Sequence, residues 1–284
     1  MRLSYKLNSF FSYLIRYPKH LYVDFLRFLS ILQNKVPLIY SDHIFSNSAD
    51  LTRKNITEIY QNNALYLLPL LMKFDDMREK NISTSLSLKS DTFDLFLMVD
   101  IIKKLKIKTL IEYGSGASSI VFAKLLNDNH LTDFISMESE KKWKESTENC
   151  IYKLLPKLKD IFNITISNLE ETKSFGFPKG CNYKKSPKKK FDLIYIDGPS
   201  LVGGFYEYTI TPIIYNQVNT NSLIVIDGRN KNCKVLKKVL KKLDKNWNQY
   251  KAIFPSDDTV FINNSGKFAK ELISNYRNFF VKIN

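Results

Sequence analysis

From Thr109 to Asn263 the chain alternates short apolar runs with segments of helical periodicity, and no other feature limits the fold as tightly. Thr109–Tyr113, Phe134–Glu138, Phe162–Ser167, Phe191–Asp197 and Ser222–Asp227 have the length and composition of strands. Between them, Ser118–Leu126, Lys141–Leu155, Tyr206–Gln217 and Cys233–Leu243 read as helices. Repeated strand–helix–strand units make right-handed crossovers between parallel neighbours. Buried parallel strands are apolar on both faces, as FDLIYI and SLIVI are. Tyr250–Phe254 and Thr259–Asn263 flank the turn residues PSDD, which predicts a closing antiparallel hairpin. The expectation is an α/β fold with a mostly parallel sheet.

The 284 residues divide by pattern into a helical N-terminal region, 1–88, and the alternating domain, 89–284. Asp91–Leu105 has helix periodicity, with Ser90 or Asp91 as N-cap. Asn63–Phe74 is apolar but holds Pro69, which predicts a broken helix or a buried connection. The first forty residues mix aromatic with basic side chains, and no run reaches the roughly 18 apolar residues that span a bilayer. Nor is there a secretory-signal pattern. Two readings of 1–40 stay open: an interfacial anchor on an anionic membrane surface, or a helical cap packed on the main domain.

The net charge of +15 favours anionic partners, yet an AT-rich codon bias toward Lys, Asn, Ile, Phe and Tyr accounts for it equally well. Three widely spaced cysteines without a C-x-x-C pair suggest neither a zinc site nor a disulfide framework. The expected location is cytoplasmic, with a peripheral position at the inner face of a membrane if the anchor reading holds.

Chemistry concentrates in Glu112-Tyr113-Gly114-Ser115-Gly116-Ala117-Ser118-Ser119, where a strand ends, glycines turn the chain and a helix begins. Glycine there allows positive φ and close approach of a ligand to the backbone. Ser119 stands where the dinucleotide fingerprint has its third glycine. An acid at Glu112 would repel a pyrophosphate, but it suits the ammonium and sulfonium of S-adenosylmethionine.

On these residues the chain resembles the class I S-adenosylmethionine-dependent methyltransferases, in particular the subgroup reading E-Y-G-S-G-x-S-S with a later I-D-G. The resemblance covers about Asp91–Asn263. It implies a Rossmann-like, seven-stranded sheet with S-adenosyl-L-methionine as cofactor. It also implies that Glu112, Gly114 and Gly116 hold the methionine part. Ser115, Ser118 and Ser119 complete the candidate cofactor-binding turn.

The family places an acid for the ribose hydroxyls at the second strand end, which matches Glu138, with Glu140 as fallback. Asn168-Leu169-Glu170 would fall near the adenine. The fourth strand ends in Asp197-Gly198-Pro199-Ser200, where the resemblance puts the methyl acceptor and a cofactor contact by Asp197. The fifth ends in Asp227-Gly228-Arg229. Asp197 and Asp227 could share a divalent metal. The catechol-type relatives have Asp-Asn where this chain has Asp-Gly, and the missing oxygen disfavours metal. Arg229 either pairs with an anionic acceptor group or with a neighbouring acid.

Methyl transfer needs orientation, exclusion of water and a deprotonated acceptor, so Asp197 is the candidate nearest the acceptor, supported by Asp227 and Arg229. His20, His43 and His130 read as surface residues, and no G-x-S-x-G or P-loop is present. The lack of [ND]-P-P-[FYW] points to an oxygen acceptor: a sugar or other small hydroxyl compound, such as a glycan or glycolipid precursor. Nucleic acid is disfavoured as a partner. The rivals are an NAD(P)-dependent oxidoreductase and a non-enzymatic basic adaptor that binds membrane or RNA through Met1–Tyr40 and Lys184–Lys190.

Overall fold

The computed structural model describes residues 48–79, 88–172, 180–199, 209–252, 256, 258–277 and 279–283. The expectations for Met1–Tyr40, His20, His43, Ser200 and the first turn of the helix drawn from Tyr206 lie outside the described residues. The chain divides into two compact units, 1–53 and 54–284; in the first, residues 48–53 are helical.

In chain order, the described elements are α1 (Ser48–Glu79), α2 (Leu88–Lys104), β1 (Thr109–Tyr113), α3 (Ala117–Asn127), β2 (Asp133–Glu138) and α4 (Lys141–Leu154). Then come β3 (Ile164–Ile166), β4 (Leu169–Thr172), β5 (Gly180–Tyr183), β6 (Leu193–Ile196), the single turn α5 (Thr211–Ile214) and β7 (Leu223–Ile226). The chain closes with α6 (Asn230–Leu243), β8 (Trp247–Ala252), β9 (Thr259–Asn263), α7 (Lys267–Tyr276) and β10 (Phe280–Ile283).

One sheet runs in the order β3-β2-β1-β6-β7-β9-β8-β10. From β3 to β7 all neighbours are parallel, and β9, β8 and β10 join through antiparallel pairs. The mostly parallel sheet and the closing hairpin are therefore as expected. The eighth strand, β10, extends the sheet beyond the seven anticipated, and α7 leads into it.

Both faces of the sheet are buried, and the period of two in each strand explains how. Leu110, Leu193, Tyr195, Leu223, Val225, Val260 and Ile262 join an apolar cluster with Val121, Ile151 and Leu272. Their alternates Ile111, Ile194, Ile196, Ile224, Ile226 and Phe261 join a second cluster with Val235, Leu236, Val239 and Leu240 of α6. The lysines of α6 take the remaining positions of the helix: Lys231, Lys234, Lys238, Lys241 and Lys242 are exposed. That division is the 3.6-residue repeat of an amphipathic helix.

The expected break at Pro69 is a correction: α1 continues through it. Pro69 and Leu65 lie on the exposed face, so the Leu65 carbonyl that loses its N–H donor turns to water. On the opposite face Ile59, Leu67, Leu70, Leu71 and Phe74 belong to the first apolar cluster. Helix α2 begins at Leu88, so Ser90 and Asp91 lie inside its first turn rather than capping it. Buried Asp100 on α2 accepts hydrogen bonds from Tyr276 Oη (2.7 Å) and Asn63 Nδ2 (3.4 Å) and pairs with Lys104 Nζ (3.0 Å).

Two further differences concern the region after β3. The stretch expected as a long loop contains the antiparallel pair β4–β5. The described part of the helix drawn over Tyr206–Gln217 is one turn, Thr211–Ile214. No helix among the described residues is long and apolar enough to cross a membrane.

Candidate active site

Strand order reverses at β1, whose neighbours are β2 on one side and β6 on the other. In open α/β sheets a crevice forms at such a point, outside the carboxyl ends of the strands. Here the ends of β1 and β6 meet backbone to backbone. Gly114 sits at φ +95°, and a Cβ on it would stand 2.5 Å from Gly198 N and 2.6 Å from Gly198 Cα. A Cβ on Gly198 would stand 2.4 Å from Gly114 Cα. Asp197 N–H donates to Tyr113 O at 2.9 Å and Gly114 N–H to Met137 O at 2.9 Å, so the turn is anchored to both flanking strand ends.

Glu112 points into the face under α3 and is fully buried. Its Oε1 accepts from Ser118 Oγ (2.5 Å), and its Oε2 from Ser119 Oγ (2.5 Å) and Ser136 Oγ (2.7 Å). Ser136 stands opposite Glu112 in the β1–β2 register, which is why it reaches. Burial pushes the Glu112 carboxyl up to about 7, against the pull of the three hydroxyls, and nearby Glu138 adds to the rise. Ser119 Oγ also accepts from Gly116 N at 3.0 Å. Glu112 thus fastens the start of α3 to β1 and β2.

Glu138 is buried at the end of β2 and grips the turn from the other side. Its Oε2 accepts from Ser115 N (2.9 Å) and Ser115 Oγ (2.8 Å). Its Oε1 accepts from Ser139 N (2.6 Å), Ser139 Oγ (3.2 Å) and Glu140 N (3.0 Å). Glu140, the fallback for this position, precedes α4 as its N-cap residue.

At the β6 and β7 ends, Arg229 binds the Asp197-Gly198-Pro199 turn. Arg229 Nη1 donates to Pro199 O at 2.8 Å, Nη2 donates to Asp197 O, and Nη2 lies 3.8 Å from Asp197 Oδ1. Of the two readings of Arg229, this geometry has the pair with a neighbouring acid. Asp227 Oδ2 accepts from Tyr195 Oη at 3.3 Å. Asp197, Asp227 and Arg229 are all part-exposed at this edge. Among the described residues, no group of three or more His, Cys, Asp or Glu side chains is arranged to hold a metal ion.

The candidate residues Glu112, Gly114, Ser115, Gly116, Ser118, Ser119 and Glu138 therefore converge on one turn, with Asp197 and Arg229 across the glycine contact. Asn168-Leu169-Glu170 is drawn into β4 and its approach, where Asn168 O accepts from Lys184 N at 2.9 Å. Within the basic run, Lys189 pairs with Asp133 and Lys190 Nζ donates to Val218 O at 2.8 Å. Three contributors escaped the sequence reading. Ser136, a polar residue within an apolar strand, carried a signal; Gly198 stood in the I-D-G motif without a role; Tyr183 lay in a segment read as loop and had none.

No protein-family model and no curated protein matches the chain. Among solved structures it is similar to a Staphylococcus aureus protein assigned as a caffeoyl-CoA O-methyltransferase, with TM-score 0.41 and 14% identity over 75% of this chain and 99% of that one. It is also similar to an O-methyltransferase from Bacillus cereus in complex with S-adenosylhomocysteine (TM-score 0.36, 12% identity, 84% and 96%). A third likeness is to a Plasmodium falciparum protein assigned as a protein-L-isoaspartate O-methyltransferase (TM-score 0.31, 16% identity, 48% of this chain). This chain spans 57% of that one, less than two-thirds of its length.

Proposed function

We propose that the protein is an S-adenosylmethionine-dependent methyltransferase acting on an oxygen of a sugar or another small hydroxyl-bearing acceptor, such as a glycan or glycolipid precursor. One observation carries the cofactor reading. The loop N–H groups that a pyrophosphate would take are already engaged, Ser115 N by Glu138 and Gly116 N by Ser119. A dinucleotide would have to displace the Glu138 carboxylate and then sit against its charge. A cationic cofactor meets the Glu138 carboxylate as attraction.

A sulfonium nucleoside suits this crevice on two further counts. The Gly114–Gly198 contact leaves bare backbone where any side chain would intrude. The buried Tyr183 hydroxyl beside it has no hydrogen-bond partner among the described residues. When bound, S-adenosylmethionine supplies an activated methyl group together with its own leaving group. The residues do the rest. Glu138 exchanges its bonds from the Ser115 and Ser139 hydroxyls for those of the ribose, and Glu112 keeps the turn in place from below. Asp197 orients the acceptor hydroxyl and takes its proton, while Arg229 holds the Asp197–Pro199 turn. Asp227 supports this edge through Tyr195.

Calorimetric titration with S-adenosylmethionine, S-adenosylhomocysteine and NAD tests the reading. Binding of the first two but not NAD is expected, and Glu138→Ala should weaken it about 10- to 100-fold. Tight NAD binding alone would assign the fold to an oxidoreductase. With an acceptor found by screening hydroxyl compounds against labelled cofactor, Asp197→Asn should lower kcat about a hundredfold. A rate within threefold of wild type would remove Asp197 from the reaction. The division at 88/89 and contact of 1–40 with an anionic membrane surface belong to the same proposal; flotation with anionic liposomes checks the latter.

A further inference from the structure

The β4–β5 pair places beside the Gly114–Gly198 contact one polar group that neither the glycine turn nor the strand-end acids account for. Tyr183 is fully buried, and its hydroxyl is unpartnered among the described residues. Neighbouring Tyr113, with ring centroids 5.0 Å apart, differs sharply: its hydroxyl donates to Gln217 Oε1 at 2.5 Å and pairs with Ser186 Oγ at 2.7 Å. Buried hydroxyls without partners are rare, because desolvation is not offset until something supplies the missing bond.

The place of this hydroxyl is closely defined. Tyr183 Oη lies 2.7 Å from where a Cβ on Gly198 would stand, beside the backbone contact with Gly114. The strand that carries it is fixed by Tyr183 N–H donating to Thr211 Oγ1 at 2.9 Å and by the bridge between Cys181 and Thr209. Burial first, and then the charge of Glu138, raises the phenol pKa well above its usual range. The group therefore stays protonated and serves as a neutral donor.

We propose that the Tyr183 hydroxyl donates a hydrogen bond to the methionine carboxylate of the bound cofactor, an inference that rests on the methyltransferase reading above. Along the strand ends from β2 to β1 to β6, Glu138 serves the ribose, and the glycine pair comes next. The amino-acid end of the cofactor then falls at Gly114 and Gly198, within reach of Tyr183. That end carries the cofactor's anionic group, and a fixed donor without charge meets it while leaving the attraction of Glu138 for the cationic centres intact.

The test is titration of wild type and Tyr183→Phe with S-adenosylhomocysteine and with 5′-methylthioadenosine, which lacks the amino-acid end. Tyr183→Phe should weaken S-adenosylhomocysteine roughly tenfold or more and leave 5′-methylthioadenosine within about twofold. The unfolding midpoint of the free protein should stay level or rise, since the oxygen removed has no partner there. Equal weakening of both ligands would move the contact to the nucleoside and overturn the proposal; unchanged affinity for both would reduce Tyr183 to packing and also overturn it. Failure of the wild type to bind either ligand is a different result, because it sinks the cofactor reading itself.

Discussion

Gly114→Ala is expected to abolish measurable cofactor binding and to destabilise the fold by about 3–5 kcal/mol. Two causes add. The backbone at φ +95° is one that an L side chain rarely adopts. The new methyl would also stand 2.5 Å from Gly198 N and 2.9 Å from Asp197 C, both backbone atoms with no rotamer to yield. Relief requires parting the ends of β1 and β6, which also stretches the bond from Asp197 N–H to Tyr113 O. Gly198→Ala isolates the steric cause, since its φ is not in the left-handed region, and it should cost somewhat less. The double variant should cost less than the sum, because one separation of the strands accommodates both methyls. Denaturant unfolding and calorimetry check all three. Single variants within 1 kcal/mol of wild type, with cofactor affinity kept, would refute the idea that the Gly114–Gly198 contact leaves no room for a side chain.

The second large effect concerns Glu112, where Ala and Gln should part company. Glu112→Ala leaves the buried Ser118, Ser119 and Ser136 hydroxyls without their acceptor and should lower stability by about 2–4 kcal/mol. Glu112→Gln keeps an acceptor and offers an amide donor toward hydroxyls that can turn to accept. Its signature is in the pH dependence. The wild-type carboxyl is raised to about 7 in the folded protein from 4.5, so between those values the folded state holds a proton that the unfolded state has lost. Its contribution is therefore fully present below pH 4.5 and is lost as pH rises through 7, a fall of about 3 kcal/mol. Urea unfolding from pH 5 to 8 should show this fall in wild type but not in Glu112→Gln. Parallel curves for the two proteins would mean that Glu112 titrates as it does in the unfolded chain.

The division of labour at Glu112 also marks how far local pattern reaches. Its place at a strand end beside a glycine turn is a local fact, readable from TLIEYGSG. That its two oxygens are taken up by Ser118, Ser119 and Ser136 is not, because Ser136 comes from β2 and meets Glu112 only through the β1–β2 register. Its partners hold it under the turn, whereas the family resemblance implied that it holds the methionine part of the cofactor. Glu138, expected at the ribose, likewise spends its bonds on Ser115, Ser139 and Glu140 in the free protein.

Strands and helices of the parallel half were legible because their apolar residues repeat at 2 and 3.6, a property of the chain itself. The sequence by itself therefore determined an α/β alternation, the acid–glycine turn and the strand-end acids at the spacing of one helix plus one strand. Elements whose reasons lie elsewhere in the molecule were decided by tertiary structure. Helix α1 runs through Pro69 because that residue faces water. Strands β4 and β5 pair antiparallel across seven intervening residues, and β10 adds to the edge at β8. The same holds for the Gly114–Gly198 contact and for Tyr183. Each joins residues about 84 or 15 positions apart, and only packing brings such distant backbone and hydroxyl groups into one crevice.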